Sequence, residues 1–173
     1  MHRTDIVKQS LFFLPLLALL LFFSGDALKR APIDHNDPVN SKRMGFYHYN
    51  EGNKALKAGK WEEAVSNYKM ALHHNPDHLG THINLSTTYM RMKQYDSAYD
   101  VLKDLGEKTP ANPLLFYNLA CYYSLTDQIE PSLAALQQAV AAGYKNIKEI
   151  KEDSDLGNLR KHSGFAAWIR TVG

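Results

Sequence analysis

The chain has 173 residues, of which 45% are apolar, enough to build one domain of ordinary size around a real core. Its formal net charge of +2 arises from 20 basic and 18 acidic residues scattered among each other. That balance argues against nucleic acid or an anionic membrane surface as the main partner, because both need clustered Lys and Arg.

One cysteine, Cys121, excludes an internal disulfide and any zinc site built from several thiolates. At the start, His2, Arg3 and Lys8 are weakly basic, and 11–23 is an apolar run of 13 residues containing Pro15. Such a run is short for a membrane span, which takes about 20 residues, and fits the centre of an export signal. Gly25-Asp26-Ala27 then offers small residues at the two sites a signal peptidase inspects. The alternative is a retained anchor, since Lys29 and Arg30 directly behind the run hinder export and blur orientation. Residues 1–27 therefore read as a signal peptide or a membrane anchor. Either way the remainder is expected outside the cytoplasm, periplasmic or otherwise extracytoplasmic, touching a membrane only if this segment is uncleaved. Residues 28–44 carry Pro32, Pro38 and several Asn, Asp and Ser without helical period, and read as a linker.

From 45 to 144 the sequence meets itself at a shift of 34 residues. Asn50, Asn84 and Asn118 fall in register, as do Gly52, Ser86 and Ala120, then Ala64, Ala98 and Ser132, then Tyr68, Leu102 and Leu136. A fixed period of this size marks a solenoid of stacked units. Each unit reads as two antiparallel helices: 46–57 and 61–73, 80–92 and 95–107, 113–125 and 129–142. Pro76 and Pro110 close the first two units, because proline cannot continue a helix and biases its predecessor out of the α region. Gly106 either weakens the end of its helix or marks it, Pro113 suits a first helical turn, and Gly143 suits a stop. The small residues at 52/86/120 and 64/98/132 let the two helices of a hairpin approach closely. Tyr68, Leu102 and Leu136 are expected to fill the space between hairpins, since one hairpin cannot bury its apolar face alone.

This pattern resembles the tetratricopeptide repeat. His82-x2-Leu85-Ser86-x2-Tyr89, Ala98-x3-Leu102 and Pro110 follow its signature, as do Phe116-x2-Leu119-Ala120-x2-Tyr123 and Ser132-x3-Leu136. The first repeat departs at His48, Glu51 and Ala55, and Tyr144 replaces the closing proline of the third. The expected fold is all-α: an α-solenoid of three helix-turn-helix repeats (about 45–78, 79–112 and 113–144) with a C-terminal helical cap over 145–173. That last stretch resembles the closing segment of many bacterial members. In it Ile147, Ile150, Leu156, Leu159, Phe165, Trp168 and Ile169 can cover the exposed end of the third hairpin.

Chemistry is hard to find along the chain. His73, His74, His78 and His82 crowd one loop, and His78 and His82 have the four-residue spacing that can share a metal. No further ligand motif completes a site, so surface histidines are the preferred reading over a metal-binding accessory protein. Cys121 lacks a histidine partner and the acids stand singly or on solvated faces, so no catalytic residues and no cofactor are expected.

What the resemblance implies is binding. Members of the family hold a peptide or protein partner along a concave surface made by the first helices. Carried onto this sequence, that groove comprises Tyr49, Asn50, Asn53, Ile83, Asn84, Thr87, Arg91, Tyr117, Asn118, Cys121 and Ser124, with Cys121 expected half-exposed. The three in-register asparagines either contact the ligand or bond the neighbouring hairpin. The subset of the family that clamps a C-terminal carboxylate is disfavoured, because Tyr49, Leu114 and Asn118 stand where its cations would be. The expected function is a non-enzymatic scaffold in assembly of a cell-envelope or secretion complex. The alternative is a structural subunit that self-associates or packs into a larger membrane complex.

Overall fold

The computed structural model describes residues 37–172. The chain divides into two units, Met1–Asn40 and Ser41–Gly173, the first described only over residues 37–40. The expected signal or anchor, residues 1–27, lies outside the described residues, as does most of the expected linker. In the first unit the Asp37 carboxylate accepts the Val39 amide N–H at 2.9 Å and the Asn40 side-chain amide at 3.3 Å.

The described residues form helices and turns, with no strand among them. Six long helices run α1 Pro38–Lys57, α2 Trp61–His74, α3 Leu79–Arg91, α4 Tyr95–Lys108, α5 Pro113–Leu125 and α6 Ile129–Ala141. Then come a short helix α7 (Ile147–Glu152), a 3-10 turn (Ser154–Leu156), α8 (Gly157–Arg160) and α9 (Ser163–Val172). The expected linker is corrected at its end: residues 38–44 are helical. Asp37 followed by Pro38 is the reason, a capping carboxylate ahead of a proline whose fixed φ suits the first helical position. Gly106 lies inside α4, which runs on to Lys108.

The turn inside each hairpin repeats one hydrogen-bonding device. Gly59, Lys93 and Asp127 take positive φ (71°, 58° and 61°), the left-handed conformation that reverses a helix at its C-terminus. The next residue then bonds back five positions: Lys60 N–H to Ala55 O at 3.0 Å, Gln94 to Tyr89 at 2.9 Å, Gln128 to Tyr123 at 2.8 Å. Gly143 (φ 106°) ends α6 in the same way, with Tyr144 N–H on Ala139 O at 2.9 Å. Between hairpins, Asn75 and Thr109 leave the helical region (φ −143° and −139°) because a proline follows each.

The small-residue positions bring helices into contact. A Cβ on Gly52 would sit 2.6 Å from the Tyr68 ring, so only glycine admits that ring. In the third hairpin the Ser132 hydroxyl donates to Ala120 O at 2.7 Å, directly across the pair. Tyr68, Leu102 and Leu136 are almost wholly buried, and one apolar cluster runs from Ala55 and Tyr68 to Ile150, Leu156, Leu159 and Phe165. A second, of Leu102, Leu105 and Leu115, joins α4 to α5. Each such side chain contributes about 1.5–3 kcal/mol through burial, which is what fixes the hairpins against one another. Of the C-terminal residues, Ile150, Leu156, Leu159 and Phe165 are buried, while Ile147, Trp168 and Ile169 are packed on the core's edge.

Candidate functional site

The first helices of the hairpins, α1, α3 and α5, meet along a line of polar side chains. The Asn84 amide donates to Asn53 Oδ1 at 2.7 Å, and the same oxygen accepts the Tyr68 hydroxyl at 2.8 Å. One repeat on, Thr87 Oγ1 donates to Asn118 Oδ1 at 3.2 Å, while the Asn118 amide donates to Leu114 O at 2.8 Å. Burial has pushed the Tyr68 hydroxyl up to about 12, so it stays a neutral donor. Of the two roles open to the asparagines, Asn84 and Asn118 take the structural one in these bonds: they stitch hairpin to hairpin. Asn50, the first of the register, is solvent-exposed.

At the third hairpin the C-terminal segment stands where a further first helix would stack. Asp153 Oδ2 accepts the Tyr117 hydroxyl at 2.7 Å and lies 3.8 Å from Cys121 Sγ. Its other oxygen accepts the Asp155 N–H at 2.9 Å, and the Arg160 guanidinium donates to its backbone carbonyl. The Tyr117 and Tyr144 rings stack with centroids 4.4 Å apart, and the Tyr144 hydroxyl donates to Glu149. Burial first, then the bonds to Asp153 and Glu149, raise both tyrosine hydroxyls far above their ordinary range. Ser124 is fully buried: its hydroxyl accepts the Leu159 N–H at 3.3 Å and its carbonyl accepts the Asn158 amide at 3.1 Å.

These elements enclose a cleft of about 270 Å³ between α3, α5 and the C-terminal segment. Ile83, Met90, Leu114 and Tyr117 supply the apolar part of its lining; Thr87, Asn118 and Arg91 line it from α3 and α5, and Tyr144, Glu149, Asp153 and Asp155 from the stretch after α6. A wider opening of about 510 Å³ shares Arg91, Glu149 and Asp153 and adds Lys148 and Glu152. Asp155 is held above the usual carboxylate range by burial, against which Arg91, with its Nη2 3.9 Å away, pulls down.

Six of the residues expected in the groove meet in this cleft: Ile83, Thr87, Arg91, Tyr117, Asn118 and Cys121. The other five lie elsewhere. Tyr49 packs edge-on against His78 at 4.7 Å at the first junction, Asn50 faces water, Asn53 and Asn84 bond each other, and Ser124 lies beneath the C-terminal segment. The expected exposure of Cys121 is corrected as well, for the residue is only 3% exposed. Burial, then the charge of Asp153, hold its thiol well above the ordinary value, which disfavours the nucleophilic thiolate.

The residues missed in the sequence are Glu149, Asp153 and Asp155. A readable signal does exist: the stitching partners are 31 residues apart in the chain at the first two seams and 32 to 36 at the third. As for the histidines, His78 Nδ1 pairs with Thr81 Oγ1 at 2.6 Å and His82 Nε2 with Pro76 O at 2.7 Å. Among the described residues no group of three or more His, Cys, Asp or Glu side chains is placed to hold a metal ion.

Residues 55–120 match the family model described as tetratricopeptide repeat. The chain is 45% identical over 75 residues to a chloroplastic protein of Arabidopsis thaliana, an overlap spanning 42% of this chain and 22% of that protein's length. Among solved structures, the first TPR of Spaghetti (RPAP3), bound to the HSP90 peptide SRMEEVD, superposes with a TM-score of 0.59 at 17% identity, covering 73% of this chain and 95% of that one. A crystal structure of MamA protein gives 0.57 at 21% identity, covering 75% and 69%. MamA 41-end from Desulfovibrio magneticus RS-1 gives 0.53 at 21%, covering 79% and 76%. At these identities the structures speak for the fold.

Proposed function

We propose, for a chain that carries tetratricopeptide repeats, that it is a non-catalytic scaffold holding a protein or peptide partner in the cleft between α3, α5 and the C-terminal segment. The observation that carries this is the convergence of six of the eleven groove residues, named from the family resemblance, on one cleft lined by both apolar and polar side chains. The solved RPAP3 repeat holds a peptide, which supports the same use of the fold here.

A photocrosslinking amino acid at Leu114, exposed on the rim, tests it directly. Crosslinks to a discrete partner are expected from that position and not from Glu107, exposed on α4. Leu114→Arg, which fills the cleft without touching the core, should abolish capture while the melting temperature holds. Capture that survives Leu114→Arg ends the reading.

The setting we propose is extracytoplasmic, as the apolar run at 11–23 supports. There the scaffold serves assembly of an envelope or secretion complex, tethered to the inner membrane if the run is retained. Among the described residues no helix is long and apolar enough to cross a membrane. Cell fractionation with protease protection of a C-terminal tag decides the matter, and a tag protected with cytoplasmic markers overturns it. A second reading, self-association as a structural subunit, draws on Phe46 and Tyr47, 46% and 56% exposed on α1. Sedimentation of the wild type against Tyr47→Glu tests that reading: a monomer in both removes it.

A further inference from the structure

We infer that the partner segment seated in this cleft is basic: a stretch of protein presenting a lysine or arginine beside an apolar residue. The inference rests on the scaffold reading and adds the partner's chemistry. Three carboxylates, Glu149, Asp153 and Asp155, line the cleft with one cation, Arg91, while the Arg160 guanidinium sits outside that lining on the Asp153 backbone carbonyl.

The hydrogen bonds already present do not cancel that excess. Asp153 and Glu149 accept from Tyr117 and Tyr144, whose neutral hydroxyls satisfy lone pairs and leave the negative charge in place. Arg91 is half-exposed and 3.9 Å from Asp155, too long and too wet to neutralise more than one of them. At the outer opening Glu152 adds a further negative charge and Lys148 one positive.

The apolar lining completes the fit. Ile83, Met90 and Leu114 add aliphatic surface to the cleft that the carboxylates line. A lysine or arginine side chain has that same division, an apolar stem and a charged head. An acidic peptide, of the kind seen with the RPAP3 repeat, would bring its carboxylates against like charge. Such a juxtaposition selects against it.

The experiment titrates the full chain against three fluorescein-labelled octapeptides of one design, alternating leucine with lysine, glutamate or glutamine. The lysine probe should bind about tenfold more tightly than the glutamine probe, with the glutamate probe weakest, as expected for charge-assisted contacts in a partly buried cleft. The gap should close as salt rises from about 20 mM to about 0.5 M. The double variant Glu152→Gln with Asp155→Asn, which leaves both tyrosine bonds intact, should weaken the lysine probe several-fold without lowering the melting temperature. Arg91→Gln should strengthen it, because the competing cation is gone.

Equal binding of the three probes, a preference for glutamate, no response to the double variant, or dimerisation of the chain that shuts out the lysine probe would each overturn the inference. The two readings fail separately. If all probes bind alike and Leu114→Arg blocks them all, the scaffold stands and the basic partner falls. If the probes and the captured partner ignore Leu114→Arg, the cleft itself is not the binding site.

Discussion

The seams between hairpins and the seam between the third hairpin and the C-terminal segment use the same positions of the first helices and opposite chemistry. At the first two, neutral amide and hydroxyl groups meet: Asn84 with Asn53, Thr87 with Asn118. At the third, a carboxylate takes the place of the amide, and Asp153 receives Tyr117 and Cys121. An amide pair needs no counter-charge and can be closed over. A carboxylate in a half-buried seam costs desolvation unless it keeps hydrogen bonds and some access to water or a cation. The cleft gives that access. The lesson is that stacking alone is served by neutral seams, and charge appears where the surface stays open.

The largest break in this comparison should come from Tyr68→Ala. It removes a fully buried ring and its bond to Asn53, and should cost about 3–5 kcal/mol, read as a drop in denaturant midpoint. Next is Asp153→Ala, which strands the Tyr117 hydroxyl in a buried seam and should cost about 1–3 kcal/mol by the same measurement. Asp153→Asn sharpens the point: it keeps an acceptor for Tyr117 and removes the charge, so most of that stability should survive. If the two variants prove equally damaging, the seam depends on charge and the contrast drawn above is wrong.

A smaller gain is expected at the turns. Lys93 holds φ at 58°, a conformation that costs an L-residue about 1–2 kcal/mol and glycine nothing. Glycine also loosens the unfolded chain by about 0.4–1 kcal/mol, so Lys93→Gly should stabilise by about 0.5–1 kcal/mol. Thermal unfolding at fixed pH measures it.

The smallest effect lies in pH. Burial first, and then the neighbouring His82, lower the pKa of His78 below its ordinary 6.5. A lowered imidazole pKa means that stability is present above the unfolded-state value and lost as pH falls through the folded one. His78→Gln should therefore flatten the fall in melting temperature between pH 8 and pH 5 relative to wild type. An unchanged slope removes His78 from the account.

Much of this architecture was legible in the sequence because it repeats. The 34-residue shift located the hairpins, and Pro76, Pro110 and Gly143 marked their ends, since those residues act through their own backbone. The left-handed turns at Lys93 and Asp127 carry no such residue, and the register with Gly59 was the available clue. The start of α1 was hidden by a composition rich in Pro, Asn and Asp, although Asp37-Pro38 is itself a helix-start signal. The site was only half readable. Self-similarity stops at 144, so the acids supplied by α7 and the turn after it had no earlier copy to be aligned with. Likewise Cys121, expected half-exposed, is buried, and Ser124, expected in the groove, lies beneath the C-terminal segment, because whatever stacks on the last repeat is invisible to a comparison among the repeats.

The seam spacings of 31 to 36 residues also bear on how the molecule comes into being. Every stitch joins groups close together along the chain, which favours rapid, sequential closure over a search for distant partners. As the polypeptide emerges N-terminal end first, the first seam can close once Asn84 is clear, the second after Asn118, the third only after Asp153. The acidic wall thus arrives after both inner seams, and a chain with its repeats already folded would still lack a finished cleft. Emergence of the chain in order would hold recognition back until Asp155 has followed Asp153.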